Sequence, residues 1–214
     1  MTKKERVIKI INELKKLFIP KTALKYAEPF QMLVSTILSA QCRDELVNKV
    51  TEKFYDRFKT AEDFNKLTFE ELDEMIKSIN IHRNKAKNIL ASAKEIVEKY
   101  SGKIPNTMEE LTSLPGVGRK TANVVLGEIH KISVGIVVDT HVKRLSNRIG
   151  LTKNSDPHKI EIDLKKVTPP EYWIDFSHLL IYHGRKICIA RKPKCYECPI
   201  RDLCLYKKKN LKED

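Results

Sequence analysis

Apolar residues recur at three- and four-residue intervals along most of this chain, the period of one face of an α-helix. Phe30, Leu33, Val34, Ile37 and Leu38 follow it, as do Ile89, Leu90, Ala93, Ile96 and Val97. Near the N-terminus, Val7, Ile8, Ile11, Leu14, Leu17 and Phe18 share one face of a helix predicted within residues 2–18, and lysines interrupt every apolar run. Start and stop signals agree with this period. Thr68-Phe69-Glu70-Glu71 and Thr107-Met108-Glu109-Glu110 read as capping boxes, Pro29 and Pro157 occupy first turns, and Gly102 and Gly184 are suited to close helices. The expected fold class is therefore all-α, with short helices and tight loops. One stretch departs: Ile132 to Val138 is a β-branched run carrying Gly135, and it predicts an isolated extended crossing rather than a sheet. Trp173, Tyr172, Phe176 and Tyr182 read as core, and the basic run Lys207-Lys208-Lys209 as a solvated, frayed tail.

With 214 residues, 41% of them hydrophobic, the chain can bury a core in one domain or two small ones. Its 41 Lys and Arg against 28 Asp and Glu leave +13, which points to polyanionic partners, the alternative being a solubilising coat. The first residues do not form a signal peptide, and no segment approaches the roughly 20 apolar residues of a membrane helix. A soluble, intracellular protein is expected, where disulfides are disfavoured.

Chemistry concentrates first at Leu114-Pro115-Gly116-Val117-Gly118-Arg119-Lys120-Thr121. Two glycines there free backbone N–H groups to meet a phosphate just where a helix begins, and Lys120 falls in that helix's first turn. Nineteen residues on, Asp139 ends the apolar run at the start of another predicted helix. Taken singly, Lys120 reads as an exposed helical lysine and Asp139 as the N-cap of a helix over 140–149. Together, an amine, a phosphate cradle and a carboxylate suggest chemistry on a nucleic-acid backbone.

Four of the five cysteines form a second cluster, Cys188-x6-Cys195-x2-Cys198-x5-Cys204. Four thiolates in so short a loop point to zinc or an iron–sulfur centre, and the single close pair in the middle favours a [4Fe–4S] cluster. Arg185, Lys186, Arg191, Lys192 and Lys194 crowd the first two ligands, so the centre would brace a basic loop able to meet phosphates; they could also merely offset its negative charge. Cys42 stands apart as an unligated core or cleft thiol.

The hairpin, the Lys120 to Asp139 spacing and the cysteine pattern together resemble the endonuclease III family of helix-hairpin-helix DNA glycosylases. Leu38-Ser39-Ala40-Gln41, Lys85-Ala86 and His183-Gly184-Arg185 extend the likeness almost end to end. The resemblance implies two helical lobes: a central domain over 22–132 carrying the hairpin, and a discontinuous cluster domain of 1–21 and 133–214, with the active cleft between them. It implies a bifunctional glycosylase and abasic-site lyase of base excision repair, acting on oxidised or damaged pyrimidines in double-stranded DNA as a monomer associated with the nucleoid.

Lys120 would attack C1′ as a neutral amine, a form that Arg119 and the helix N-terminus favour, and Asp139 would stabilise the developing cationic sugar. By the same resemblance Cys188, Cys195, Cys198 and Cys204 hold the cluster, while Gly116, Val117, Gly118, Arg119, Arg185, Arg191 and Lys192 face DNA. His141 joins that set and buttresses Asp139. Gln41 fills the gap left by the extruded nucleotide and Ile81 is a second wedge. Asn80 stands where the family often has glycine and should tolerate a positive φ. Cys42-Arg43 departs from the family's small pair. A monofunctional mismatch glycosylase and a non-catalytic, iron–sulfur DNA-binding redox sensor are the competing readings.

Overall fold

A computed structural model describes residues 1–212, and among them every regular element is helical, with no strand. The all-α expectation holds. The chain divides into two compact units, one from Thr22 to Ile132 and the other joining residues 1–21 to the chain from Ser133 onward.

The first unit contains α2 (Pro29–Ser39), α3 (Asp44–Thr51), α4 (Ala61–Asn65), α5 (Phe69–Ile76), α6 (His82–Tyr100), α7 (Met108–Ser113) and α8 (Arg119–Val125), the last running into a π-helical turn at Leu126–His130. Every residue from Phe30 to Leu38 is buried; α4 and α5 lie on α6 and α7 on α8, while α2 packs against α3, α6 and α8. Its one long polar side chain is satisfied on both ends. Gln31 Oε1 accepts the Ala27 and Glu28 amides, and Nε2 donates to the Tyr55 and Phe58 carbonyls. Leaving such a buried amide unpaired costs about 1–3 kcal/mol, so Gln31 fixes the approach to the helix as well as its packing. The start signals divide: the Thr68 capping box forms in full, whereas at Thr107 the hydroxyl caps the Glu110 amide but itself donates to the Glu110 carboxylate, leaving the reciprocal backbone bond unmade. Beyond α6, Ser101 and Gly102 both turn left-handed and the Gly102 amide closes on the Ile96 carbonyl, as a helix-closing glycine should.

The second unit packs α1 (Lys3–Lys15) with α9 (Thr140–Ile149), α10 (Pro157–Val167) and α11 (Trp173–Lys186). Val7, Ile10, Ile11 and Leu14 join Val142, Leu145, Ile149, Leu164, Phe176 and Leu179 in one core. Ile10 takes the place expected of Ile8, which is exposed together with Leu17; the buried stripe of α1 is narrower than the sequence suggested. Arg6 is buried beside it. Its guanidinium donates to the carbonyls of Ile149, Gly150 and Leu203, satisfying the open end of α9 and tying the first helix to the C-terminal segment.

Two other expectations fail for local reasons, and a third, that Trp173 is core, holds in part, since it packs against the core from its edge. Gly184 lies inside α11, not at its end, and a Cβ there would stand 3.0 Å from His141 Nδ1, so this glycine permits close packing rather than a turn. Trp173 is half-buried: its indole N–H donates to the Thr168 carbonyl and Lys165 Nζ lies 4.4 Å from the ring centroid. The basic tail is not frayed at Lys209, whose amine folds back onto the Arg201 carbonyl. Residues 132–138, expected to be extended, carry neither helix nor strand and bend at Gly135; the Val137 amide is held by Ser177 Oγ.

Candidate active site and cluster loop

Between α7 and α8 the hairpin is a β-turn closed by the Val117 amide on the Leu114 carbonyl at 3.1 Å. Pro115 and Gly116 fill its centre, and Gly116 has φ 76°, which a side chain would strain. A Cβ on Gly116 would also meet Asn88 at 2.7 Å. Gly118 is the N-cap of α8 at φ −83°, with nothing within 4 Å of where a Cβ would sit. The Val117 amide is thus spent inside the turn and its side chain is buried, contrary to its expected place facing DNA. Gly116, Gly118, Arg119 and Lys120 are all exposed. Lys120 occupies the second position of α8, and among the described residues it pairs with no carboxylate.

In the other unit Asp139 is the N-cap of α9, its Oδ1 accepting the Val142 amide at 2.8 Å. That bond engages one carboxylate oxygen with the helix. His141 lies in the first turn, its Nδ1 3.3 Å from Arg144 Nη2. Burial pushes this imidazole below its ordinary value, Arg144 and Arg185 push the same way, and Asp139 opposes them. His141 therefore favours the neutral form beside the capping carboxylate. Arg144 continues the connection, donating to the carbonyls of Gly184 and Cys188.

Cys188, Cys195, Cys198 and Cys204 line one pocket with Arg148, His183, Ile187 and Tyr206, and none is in a disulfide. Burial pushes the Cys198 thiol up to about 12 and raises Cys204 as well, so both need a metal to stabilise their thiolates. Arg148 anchors the wall, donating to Cys188 Sγ at 3.4 Å and to the carbonyls of Ile189 and Ala190 at 2.7 Å each. Four soft, partly buried sulfurs with a cation against them suit an anionic iron–sulfur cluster. Arg185, Arg191 and Lys192 are exposed around this loop, with Lys192 left-handed at φ 47°.

Gln41 and Ile81 are exposed, and both are left-handed, at φ 56° and 60°. The positive φ expected at Asn80 belongs to Ile81 instead; Asn80 uses its side chain to donate to the Gln41 carbonyl. Nothing in the sequence points to Arg144 or Arg148, and Lys85 is marked there only as part of the family resemblance, without a role. Lys85 alone carried a signal, falling in register with Ile89, Ser92 and Ile96 on the buried face of α6.

Comparison with known proteins joins these features. Residues 34–170 match the model of the HhH-GPD superfamily base excision DNA repair proteins, and 188–204 match the iron-sulfur binding domain of endonuclease III. The chain is 52% identical to endonuclease III of Synechocystis sp. over 95% of its length and 93% of the relative's, and 42% identical to that of Escherichia coli K12, covering 89% and 90%. Its fold is similar to that of a trapped endonuclease III–DNA covalent intermediate, with TM-score 0.87, 39% identity and 96% of each chain covered. A thermostable thymine-DNA glycosylase is also similar, at TM-score 0.82 and 25% identity over 95% of each chain. A [4Fe–4S] cluster is accordingly this chain's cofactor. From the glycine hairpin to the last cysteine, the chain belongs to the endonuclease III family of HhH-GPD base excision DNA repair proteins.

Proposed function

We propose that Lys120 is the nucleophile of a DNA glycosylase and abasic-site lyase that removes oxidised pyrimidines from duplex DNA. The observation that carries the reading is the placement of Lys120: an exposed amine without a carboxylate partner, in the first turn of α8 immediately after the glycine hairpin. A site that grips the strand through the amides of Gly116 and Gly118 delivers the adjoining sugar to that amine. Arg119, Arg185, Arg191 and Lys192 add phosphate contacts, and such contacts position the strand without reading its sequence.

Extruding the damaged nucleotide costs a few kcal/mol of unstacking, least for a poorly paired lesion. Gln41 and Ile81 occupy the space it leaves. The Lys120 Nζ lone pair then bonds to C1′ as the N-glycosidic bond breaks and the base departs with its electrons. Ring opening gives a protonated Schiff base; loss of a 2′ proton sends electrons toward the iminium and expels the 3′ phosphate. Asp139 stabilises the positive charge that develops on the sugar. The likeness to a trapped endonuclease III–DNA covalent intermediate supports this chemistry.

Cys188, Cys195, Cys198 and Cys204 hold the [4Fe–4S] cluster. When bound, it cross-links four points of the C-terminal loop and offers a redox-active centre, while Arg148 supports its first ligand and the loop presents Arg191 and Lys192.

Borohydride trapping on a duplex with one oxidised pyrimidine or one abasic site tests the reading. Wild type should form a covalent adduct and nick the strand, and Lys120→Ala should do neither while keeping its cluster absorbance. Asp139→Asn keeps a good N-cap but removes the charge, so it should slow excision by at least about tenfold with little change in stability. Base release by wild type without any trapped adduct would instead establish a monofunctional glycosylase.

A further inference from the structure

Two β-turns of the Thr22–Ile132 unit have the same plan and different centres. In 114–117 the left-handed third residue is Gly116, which adopts φ 76° at no steric cost. In 39–42 the Cys42 amide closes on the Ser39 carbonyl at 3.0 Å, Ala40 has φ −59° and ψ 117°, and the left-handed third residue is Gln41. These angles define a type II turn, whose third position asks for glycine. A glutamine held there is strained, and a strained residue persists only where its surroundings over-determine it.

The surroundings are two side chains from one neighbouring segment. Lys85, only 6% exposed, drives its ammonium under the end of α2 and donates to the Leu38 carbonyl at 2.9 Å and the Ala40 carbonyl at 2.6 Å. Asn80 Nδ2 donates to the Gln41 carbonyl at 3.0 Å. Both central carbonyls of the turn are therefore gripped, and so is an open carbonyl of the helix before it. The gripping residues flank Ile81, itself left-handed and 53% exposed. The Lys85 amide donates to the Ile81 carbonyl, which carries the connection back to that tip. Burial lowers the Lys85 amine and Cys42 opposes the shift, so the two hydrogen bonds to carbonyls are what hold this side chain inside.

We propose that Asn80 and Lys85 are positioning residues that lock the Gln41 turn to the Ile81 tip, so that the two side chains enter the duplex as one rigid unit. The inference rests on the reading that Gln41 and Ile81 occupy DNA, and adds what holds them ready. Without Asn80 the Gln41 carbonyl loses its tether, the turn gains alternative conformations, and binding must reorder it. Glycine at position 80 offers no such tether, so the coupling belongs to chains with a donor there.

The test compares Asn80→Ala, Lys85→Met, Gln41→Gly and the double variant Asn80→Ala/Gln41→Gly, all as holoprotein. One readout is single-turnover base excision; the other is fluorescence of 2-aminopurine placed opposite a stable abasic-site analogue, which brightens as that base is unstacked. Asn80→Ala should lose about five- to tenfold in excision and most of the brightening, and should cost nothing further once Gln41 is glycine. Lys85→Met should behave likewise; if it fails to fold, the exposed Asn80 variant decides alone. Should Gln41→Gly match wild type in both assays, the wedge reading itself falls. Should Gln41→Gly be impaired while Asn80→Ala is not, or should the two losses add in full, the positioning proposal falls and the wedge reading stands.

Discussion

Arg148 donates to the sulfur of Cys188 at 3.4 Å, and the same guanidinium reaches the Ile189 and Ala190 carbonyls while its plane lies 4.9 Å from the Tyr206 ring centroid. A side chain of α9 thus holds the first cysteine, the loop that follows it and the tail beyond the last cysteine. Replacing it with Met keeps volume and removes every donor. Hydrogen bonds to charged groups contribute about 1.5–3 kcal/mol each, so Arg148→Met should lose its cluster several-fold faster than wild type under an iron chelator, followed by visible absorbance. Equal loss rates would show that the cysteines alone hold the loop.

The two hairpin glycines should respond oppositely to alanine. Gly116→Ala meets both a positive φ and Asn88 at 2.7 Å, and should lower stability by about 1–2 kcal/mol or more in urea unfolding. Gly118→Ala enters open space at an ordinary φ and should leave stability within about 0.5 kcal/mol of wild type. A phosphate seated against the Gly118 amide would meet the new methyl, so DNA affinity should fall although the fold is intact. Unchanged affinity would remove Gly118 from the phosphate cradle.

Much of this was legible because it depends on local chemistry. Thr68 and Gly102 announce helix ends through bonds to residues three and six places away, Pro29 through its fixed φ, and the apolar period of α2 identifies its burial directly. The cysteine spacing and the hairpin glycines are local as well. Contacts over long separations were not legible: Arg6 reaches Ile149 across 143 residues, Arg148 reaches Cys188 across 40, and Lys85 reaches Leu38 across 47. Gly184 misled because a glycine can serve close packing as well as a turn, and the local sequence does not say that His141 lies against it. Asn80 misled for a related reason: its polar side chain found a partner across 39 residues, so the left-handed conformation passed to Ile81.

His141 should give the cluster-bearing unit an acid-sensitive step. Its folded pKa lies below the ordinary value near 6.5, chiefly through burial, so the unfolded chain takes up the proton first as pH falls. Stability is unaffected well above 6.5, declines as pH drops through that value, and stops declining once the folded form is protonated too. His141→Asn should remove its share of this limb, leaving the part that comes from His183, which burial lowers to about 4. Urea midpoints of wild type and variant between pH 7.5 and about 5 measure it; parallel curves would mean that the imidazole titrates alike in both states.

The basic residues around the cluster loop should act on binding through charge alone. Lys192 holds a left-handed backbone beside Arg191, and both are exposed on a segment whose preceding carbonyls are held by Arg148. If the loop meets phosphates, each cation releases about one counterion, and replacing Arg191 or Lys192 with Ser should reduce the slope of log affinity against log salt by about one. The loss should be the same for damaged and undamaged duplexes, since phosphate contacts carry no base information. A variant with reduced net charge but an unchanged salt slope would show instead that these cations serve only to balance the cluster's negative charge.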